Sequence, residues 1–188
     1  MTREDWLNRF VDHARPVFVE IGHALPANIR VAIGFCSTGR KSKRIGECWS
    51  SEASADQHFE IFIHPGLQSD TSRIADILTH ELCHTAAPGD GHGKLFGRVA
   101  RGVGLDGKLT ATVAGANWHA WADPILAHLG PLPGADLQGA AMGRKKQATR
   151  LIKAECNECG LIFRITAKYA GLNLQCPDHD CQGQLTLG

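Results

Sequence analysis

No stretch of this 188-residue chain approaches the roughly 18 consecutive apolar residues of a membrane span, so the sequence carries no expectation of a membrane partner. The opening residues, "MTREDWLNRF", are charged and lack an apolar core, which sets aside a secretory signal. A cytoplasmic or nucleoid-associated protein is therefore expected rather than a secreted one. There is no excess of one charge sign: the formal net charge is +1, which identifies no partner. There is no internal repeat, and hence no sign of a repeat architecture.

What is present suits one ordinary domain with a small appendage. Hydrophobic residues make up 43% and charged residues 21%, the composition of a globular protein. Residues 1–133 carry 13 Lys/Arg against 14 Asp/Glu, whereas residues 134–188 carry 7 against 5. Seven cysteines are an odd number. Four cluster near the C-terminus in pairs, while Cys36, Cys48 and Cys83 are scattered. Without a signal peptide, that pattern reads as reduced thiols plus a metal site.

Trp6, Phe10, Ala14, Val17 and Ile21 recur at helical spacing, and Pro16 is expected to kink or split that helix. Strands are predicted in "IRVAIGF" (29–35), "IGECWSS" (45–51) and "HFEIFIHP" (58–65), with the basic loop "STGRKSKR" between the first two. Asp70 is the best N-cap for a helix whose apolar stripe is Ile74, Ile77, Leu78 and Leu82. "PGDG" (88–91) ends it. Helices are also predicted in "KLFGRVARGVG" (94–104) and "NWHAWADPILAHLG" (117–130), the latter with a kink at Pro124. A Gly/Pro/Ala-rich stretch begins at Pro131 and reads as a linker.

The stretch "HELCHTAAPGDGH" (80–92) carries the chemistry. At about 100° per residue, His80 and His84 lie within roughly 40° of each other on one helical face, so both imidazoles can grip one ion. Glu81 lies about 60° from His84, near enough to reach a metal-bound water without ligating. This is H-E-x-x-H, on an independently predicted amphipathic helix. Cys83 faces away and reads as a packed thiol. A catalytic zinc needs a third protein ligand and one open position. The metzincin positions for glycine and histidine hold Ala87 and Asp90, and no methionine lies where a Met-turn needs one. The only glutamates after Glu81 are Glu155 and Glu158, which removes the gluzincin pattern. His92 remains, with Asp90 and His119 as weaker substitutes.

"HELCH" followed by "GHGKLF", with strands before and paired cysteines after, resembles the SprT-like (Spartan-type) zinc metalloproteases over residues 1–128 and 151–188. The resemblance implies an α+β fold, with a zincin-type metalloprotease domain (1–133) and a small β zinc ribbon (151–188); by composition, residues 134–150 between them are expected to be a flexible basic linker. The resemblance assigns His80, His84 and His92 as ligands of a catalytic zinc and Glu81 as the catalytic residue. One departure from the family pattern is the short connection of seven residues between His84 and His92. His92 reaches the ion only if "TAAPGDG" turns tightly, which Pro88, Gly89 and Gly91 favour.

"CNEC" (156–159) and "CPDHDC" (176–181) supply a second, structural zinc site from Cys156, Cys159, Cys176 and Cys181, with His179 an alternative fourth ligand. Arg144, Lys145, Lys146, Arg150 and Lys153 precede or enter this module and are candidates for contacting nucleic-acid phosphates. The expected function is zinc-dependent cleavage of proteins bound or crosslinked to DNA, single-stranded DNA included, with two zinc ions per chain. Two rivals are kept: a non-catalytic zinc-binding, nucleic-acid-associated (transcription-related) factor, and a protease of one regulatory protein.

Overall fold

The computed structural model describes residues 1–39, 44–67, 69–137 and 151–188, and divides into two compact units, Met1–Ala141 and Met142–Gly188. The chain is a mixed α+β protein whose described residues form four α-helices and three small sheets. None of its described helices is long and apolar enough to cross a membrane.

In the first unit, helix α1 spans Arg3–Glu20. It opens with a reciprocal cap: the Thr2 hydroxyl accepts from the Asp5 N–H at 3.1 Å, and the Asp5 carboxylate accepts from the Thr2 N–H at 2.9 Å. Of the kink or split expected at Pro16, the split does not occur: α1 runs through the proline as one helix. An interior proline costs about 3 kcal/mol. Trp6, Leu7, Phe10, Val11 and Phe18 are all buried along the helix, and each such burial is worth about 1.5–3 kcal/mol. Burial therefore outweighs the missing hydrogen bond.

Three strands follow: β1 (Ile29–Ile33), β2 (Gly46–Trp49) and β3 (Phe59–Ile63). Their order is β1-β3-β2, with β1 parallel and β2 antiparallel to β3. Phe59, Ile61 and Ile63 alternate into the core, as their period of two predicts. β2 is left on an edge.

Helix α2 (Thr71–Ala86) begins at Asp70, whose side chain accepts from the Arg73 N–H at 2.9 Å. Ile74, Ile77, Leu78, Leu82 and Cys83 pack into the core, so the thiol is a packed group as expected. Helix α3 (Lys94–Gly102) follows, then a hairpin of β4 (Leu105–Lys108) and β5 (Ala111–Ala114) absent from the sequence expectations. Helix α4 (Ala116–Leu129) also runs through its proline, Pro124. Gly104, at φ +86°, makes the hairpin's entry possible: a Cβ there would sit 2.2 Å from the Trp118 nitrogen. The Trp6 indole donates to the Gly130 carbonyl at 2.9 Å, tying α1 to the end of α4. Of the residues assigned to the linker, Asp136 accepts from the Ser69 N–H and hydroxyl at 2.8 and 2.6 Å, and the Leu137 N–H donates to the Pro65 carbonyl.

The second unit is an antiparallel sheet of β6 (Leu151–Cys156), β7 (Ile162–Thr166) and β8 (Leu185–Leu187), in the order β7-β6-β8. Its buried apolar side chains are only Ala154, Cys156 and Cys176 among the described residues. So small a core cannot by itself offset the chain entropy of an ordered unit.

Candidate active site

α2 presents His80, Glu81 and His84 at its C-terminal end, and the turn after it returns the chain over them. Ala87 closes the helix by donating its N–H to the Cys83 carbonyl. Gly89 and Gly91 then adopt φ of +77° and +57°, the left-handed conformation that glycine enters without strain. Asp90 holds the far side of the turn, its carboxylate accepting from the Phe96 N–H at 2.9 Å at the start of α3. The result brings His92 back so that its Nε2 lies 3.3 Å from Nε2 of His80. One nitrogen from each of His80, His84 and His92 falls in a group whose members are all within 4.8 Å of one another, a set that can hold a metal ion.

The two other third-ligand candidates are occupied elsewhere. Asp90 is engaged with α3, and His119 sits on the surface of α4, its Nδ1 3.0 Å from Asp123. Behind the three imidazoles lies Phe96, fully buried. Its ring stacks on His84 at 4.4 Å and meets the rings of His80 and His92 at 5.0 and 4.9 Å. Burial, with the neighbouring histidines, lowers the His80 pKa to about 3. Burial likewise lowers that of His84 to about 4, so both rings are neutral at physiological pH. Neutral imidazoles are the form that binds metals.

Glu81 is 6% exposed, and burial pushes its pKa up to about 8, with the negative charge of Glu47 adding to the effect. Its carboxyl has no hydrogen-bond partner among the described residues. It lies directly under the edge strand β2: a Cβ on Gly46 would come within 2.5 Å of Glu81 Oε1 and 2.7 Å of Ile77. Only a glycine lets the strand and the carboxyl share that space.

A cavity of about 970 Å³ opens over this group. α2 and the turn after it line one part, Gly46, Glu47 and Cys48 of β2 a second, and Thr110, Ala111 and Thr112 of the hairpin a third. Glu47 accepts from the Ser37 N–H and hydroxyl, the Arg44 guanidinium at 2.6 Å and the Trp49 indole. Burial and Glu81 push the Cys48 thiol up to about 12. Sequence reasoning missed Gly46, Glu47 and Thr112. The Thr112 hydroxyl lies 2.8 Å from Nδ1 of His80, across 32 residues of sequence, a relation that no local pattern signals.

In the second unit the four cysteines converge. Cys156 and Cys181 sulfurs are 3.7 Å apart, those of Cys159 and Cys176 3.6 Å, and all four lie within 4.8 Å of one another. Backbone N–H groups of Cys159 and Glu158 lower the Cys156 thiol to about 7, toward the thiolate that binds metal. His179 is 94% exposed and pairs with Asp180, outside the cluster. Of the five basic residues singled out in the sequence, Arg144, Lys145, Lys146 and Arg150 lie outside the described residues. Lys153 lies on β6, half exposed, with its amine paired to Glu155. Comparison with protein-family models, with curated proteins and with solved structures finds no match to this chain.

Proposed function

We propose that the chain is a zinc-dependent endopeptidase of SprT-like type, with a zincin-type first unit and a zinc-ribbon second unit. The observation that carries the reading is Glu81, a largely buried side chain with no protein hydrogen-bond partner among the described residues, lining an open cleft beside three convergent imidazoles. A carboxyl held in a largely apolar surround yet open to the cleft, with its pKa displaced by that burial, is the arrangement expected of a group that transfers protons.

Donor geometry suits zinc at both clusters. For a tetrahedron with Zn–N of about 2.0–2.1 Å, ligand nitrogens are about 3.3–3.4 Å apart, and with Zn–S of about 2.3 Å sulfurs are about 3.8 Å apart. The 3.3 Å His80–His92 separation and the 3.6–3.7 Å sulfur pairs are of that size, and the remaining donor pairs in each cluster lie within 4.8 Å. Three protein donors leave one position open at the histidines, while four thiols close the other site. Bound at the histidines, zinc supplies a water of lowered pKa and polarises a carbonyl oxygen.

The chain's own groups do the rest. With a cation at the histidines favouring its anion over the protonated form of the metal-free protein, Glu81 would take a proton from the attacking water and pass it to the departing amine. β2, an edge strand on the wall of the cleft, has an edge that pairs with no strand among the described residues and could receive an extended polypeptide, which favours a protein substrate over a small molecule. The basic run 144–153 supports DNA as the signal that restricts cleavage to DNA-bound or crosslinked proteins.

The test is Glu81→Gln in the full chain, with zinc content and cleavage of an unfolded protein substrate measured with and without single-stranded DNA. Two zinc ions per chain should persist while cleavage falls about 10²–10⁴-fold. A mutant that cuts as well as wild type rejects the mechanism. If DNA neither binds nor stimulates, a protease of one regulatory protein becomes the better reading.

A further inference from the structure

β5 packs alongside α2. Across that contact Nδ1 of His80 lies 2.8 Å from the Thr112 hydroxyl, so a strand that supplies no ligand reaches the back of the histidine cluster.

Thr112 is 4% exposed, while its strand neighbours Ala111 and Val113 face solvent. Valine would fill the same buried space with the same β-branched shape. The hydroxyl is therefore the distinguishing group, and a buried hydroxyl is costly unless paired. Its described partner is Nδ1 of His80, the ring nitrogen on the side away from His92. An imidazole that binds an ion through Nε2 carries its proton on Nδ1, and the acceptor of that proton sets ring orientation and ligand basicity.

We propose that Thr112 is a positioning residue for the histidine cluster: its hydroxyl accepts the Nδ1–H of His80 and holds Nε2 of that ring, unprotonated, toward His84 and His92. The proposal rests on the metal-site reading above. It makes the β4–β5 hairpin part of the metal centre although the hairpin contributes no ligand.

The experiment compares Thr112→Val with Thr112→Ser in the full chain, using Co(II) as the probe. Thiolate charge-transfer absorption marks filling of the cysteine cluster, and d–d bands without it mark the histidines. Thr112→Val should weaken the histidine site about 10- to 100-fold. Thr112→Ser, which keeps the hydroxyl and loses the methyl, should stay close to wild type, and the cysteine site should be unchanged in both. In the zinc-loaded protein, NMR should show a slowly exchanging His80 Nδ1–H in wild type and Thr112→Ser but not in Thr112→Val. If Thr112→Val does not fold, Thr112→Ala set against Thr112→Ser makes the same comparison. Equal affinity in Thr112→Val and wild type overturns the proposal, as does a serine variant weaker than the valine one, which would make the methyl the working part. A wild-type chain that takes no Co(II) at the histidines overturns both this proposal and the metal-site reading. Normal uptake with unaltered affinity in Thr112→Val overturns this one alone.

Discussion

Glu81 lies between two influences that disfavour its anion, the low-dielectric interior and the nearby Glu47 charge. In the metal-free protein its pKa rises from 4.5 to about 8, so between those values the folded state holds a proton that the unfolded state has released. Stability contributed by this group therefore falls as pH rises through that window. Glutamine cannot ionise. Metal-free Glu81→Gln is expected to melt with wild type near pH 4.5 and progressively above it toward pH 8; thermal melts across that range check this. His80 and His84, with lowered pKa values, lose stabilisation as pH falls below about 6.5, but equally in both proteins, so they cancel in the difference. His92 and Asp90 separate in the same residue-by-residue way. His92→Ala should abolish ion binding at the first site, since it removes one of three donors. Asp90→Ala loses only the acceptor for the Phe96 N–H, a cap-like contact worth about 0.5–2 kcal/mol, and should loosen the site without emptying it. Co(II) titration ranks the two, and the reverse order would remove His92 from the ligand set.

At the scale of elements, α2 was legible because its information is local: a capping aspartate, a 3.6-residue apolar stripe, and two histidines one turn apart. β3 was legible by its alternation. The β4–β5 hairpin was not, because β5 reads "ATVA", with one buried position and no apolar run, and its role depends on what α2 presents to it. The same holds for Gly46, whose lack of a side chain matters only because the Glu81 carboxyl packs beneath it. At Pro16 the expectation of a split failed, since the local rule yielded to the packing of the opposite face of α1. Pro16 is itself exposed, so Pro16→Ala changes little but the backbone. Restoring that N–H should stabilise the protein by about 1–3 kcal/mol, visible as a higher denaturation midpoint. An unchanged midpoint would mean that α1 has no carbonyl waiting for it.

The two units differ in what they would keep without metal. The first holds a continuous core from Trp6 through Trp118 to Leu132, whereas the second buries only Ala154, Cys156 and Cys176 among its described apolar residues. Stripping the full chain with a strong chelator should collapse the NMR signals of residues 151–188 while those of the first unit stay dispersed. Dispersed signals throughout would show that the cysteine cluster is not what folds the second unit. The spacing of the donors has another effect. The three imidazoles come from thirteen consecutive residues, and the four thiols from twenty-six. Closing loops so short costs little chain entropy, and the cost grows only logarithmically with length. An unfolded chain can thus still gather several of these donors around an ion. Binding to the denatured ensemble subtracts from the stabilisation that mass action would otherwise confer, so the melting temperature should rise with free zinc less steeply than native-state affinity alone dictates.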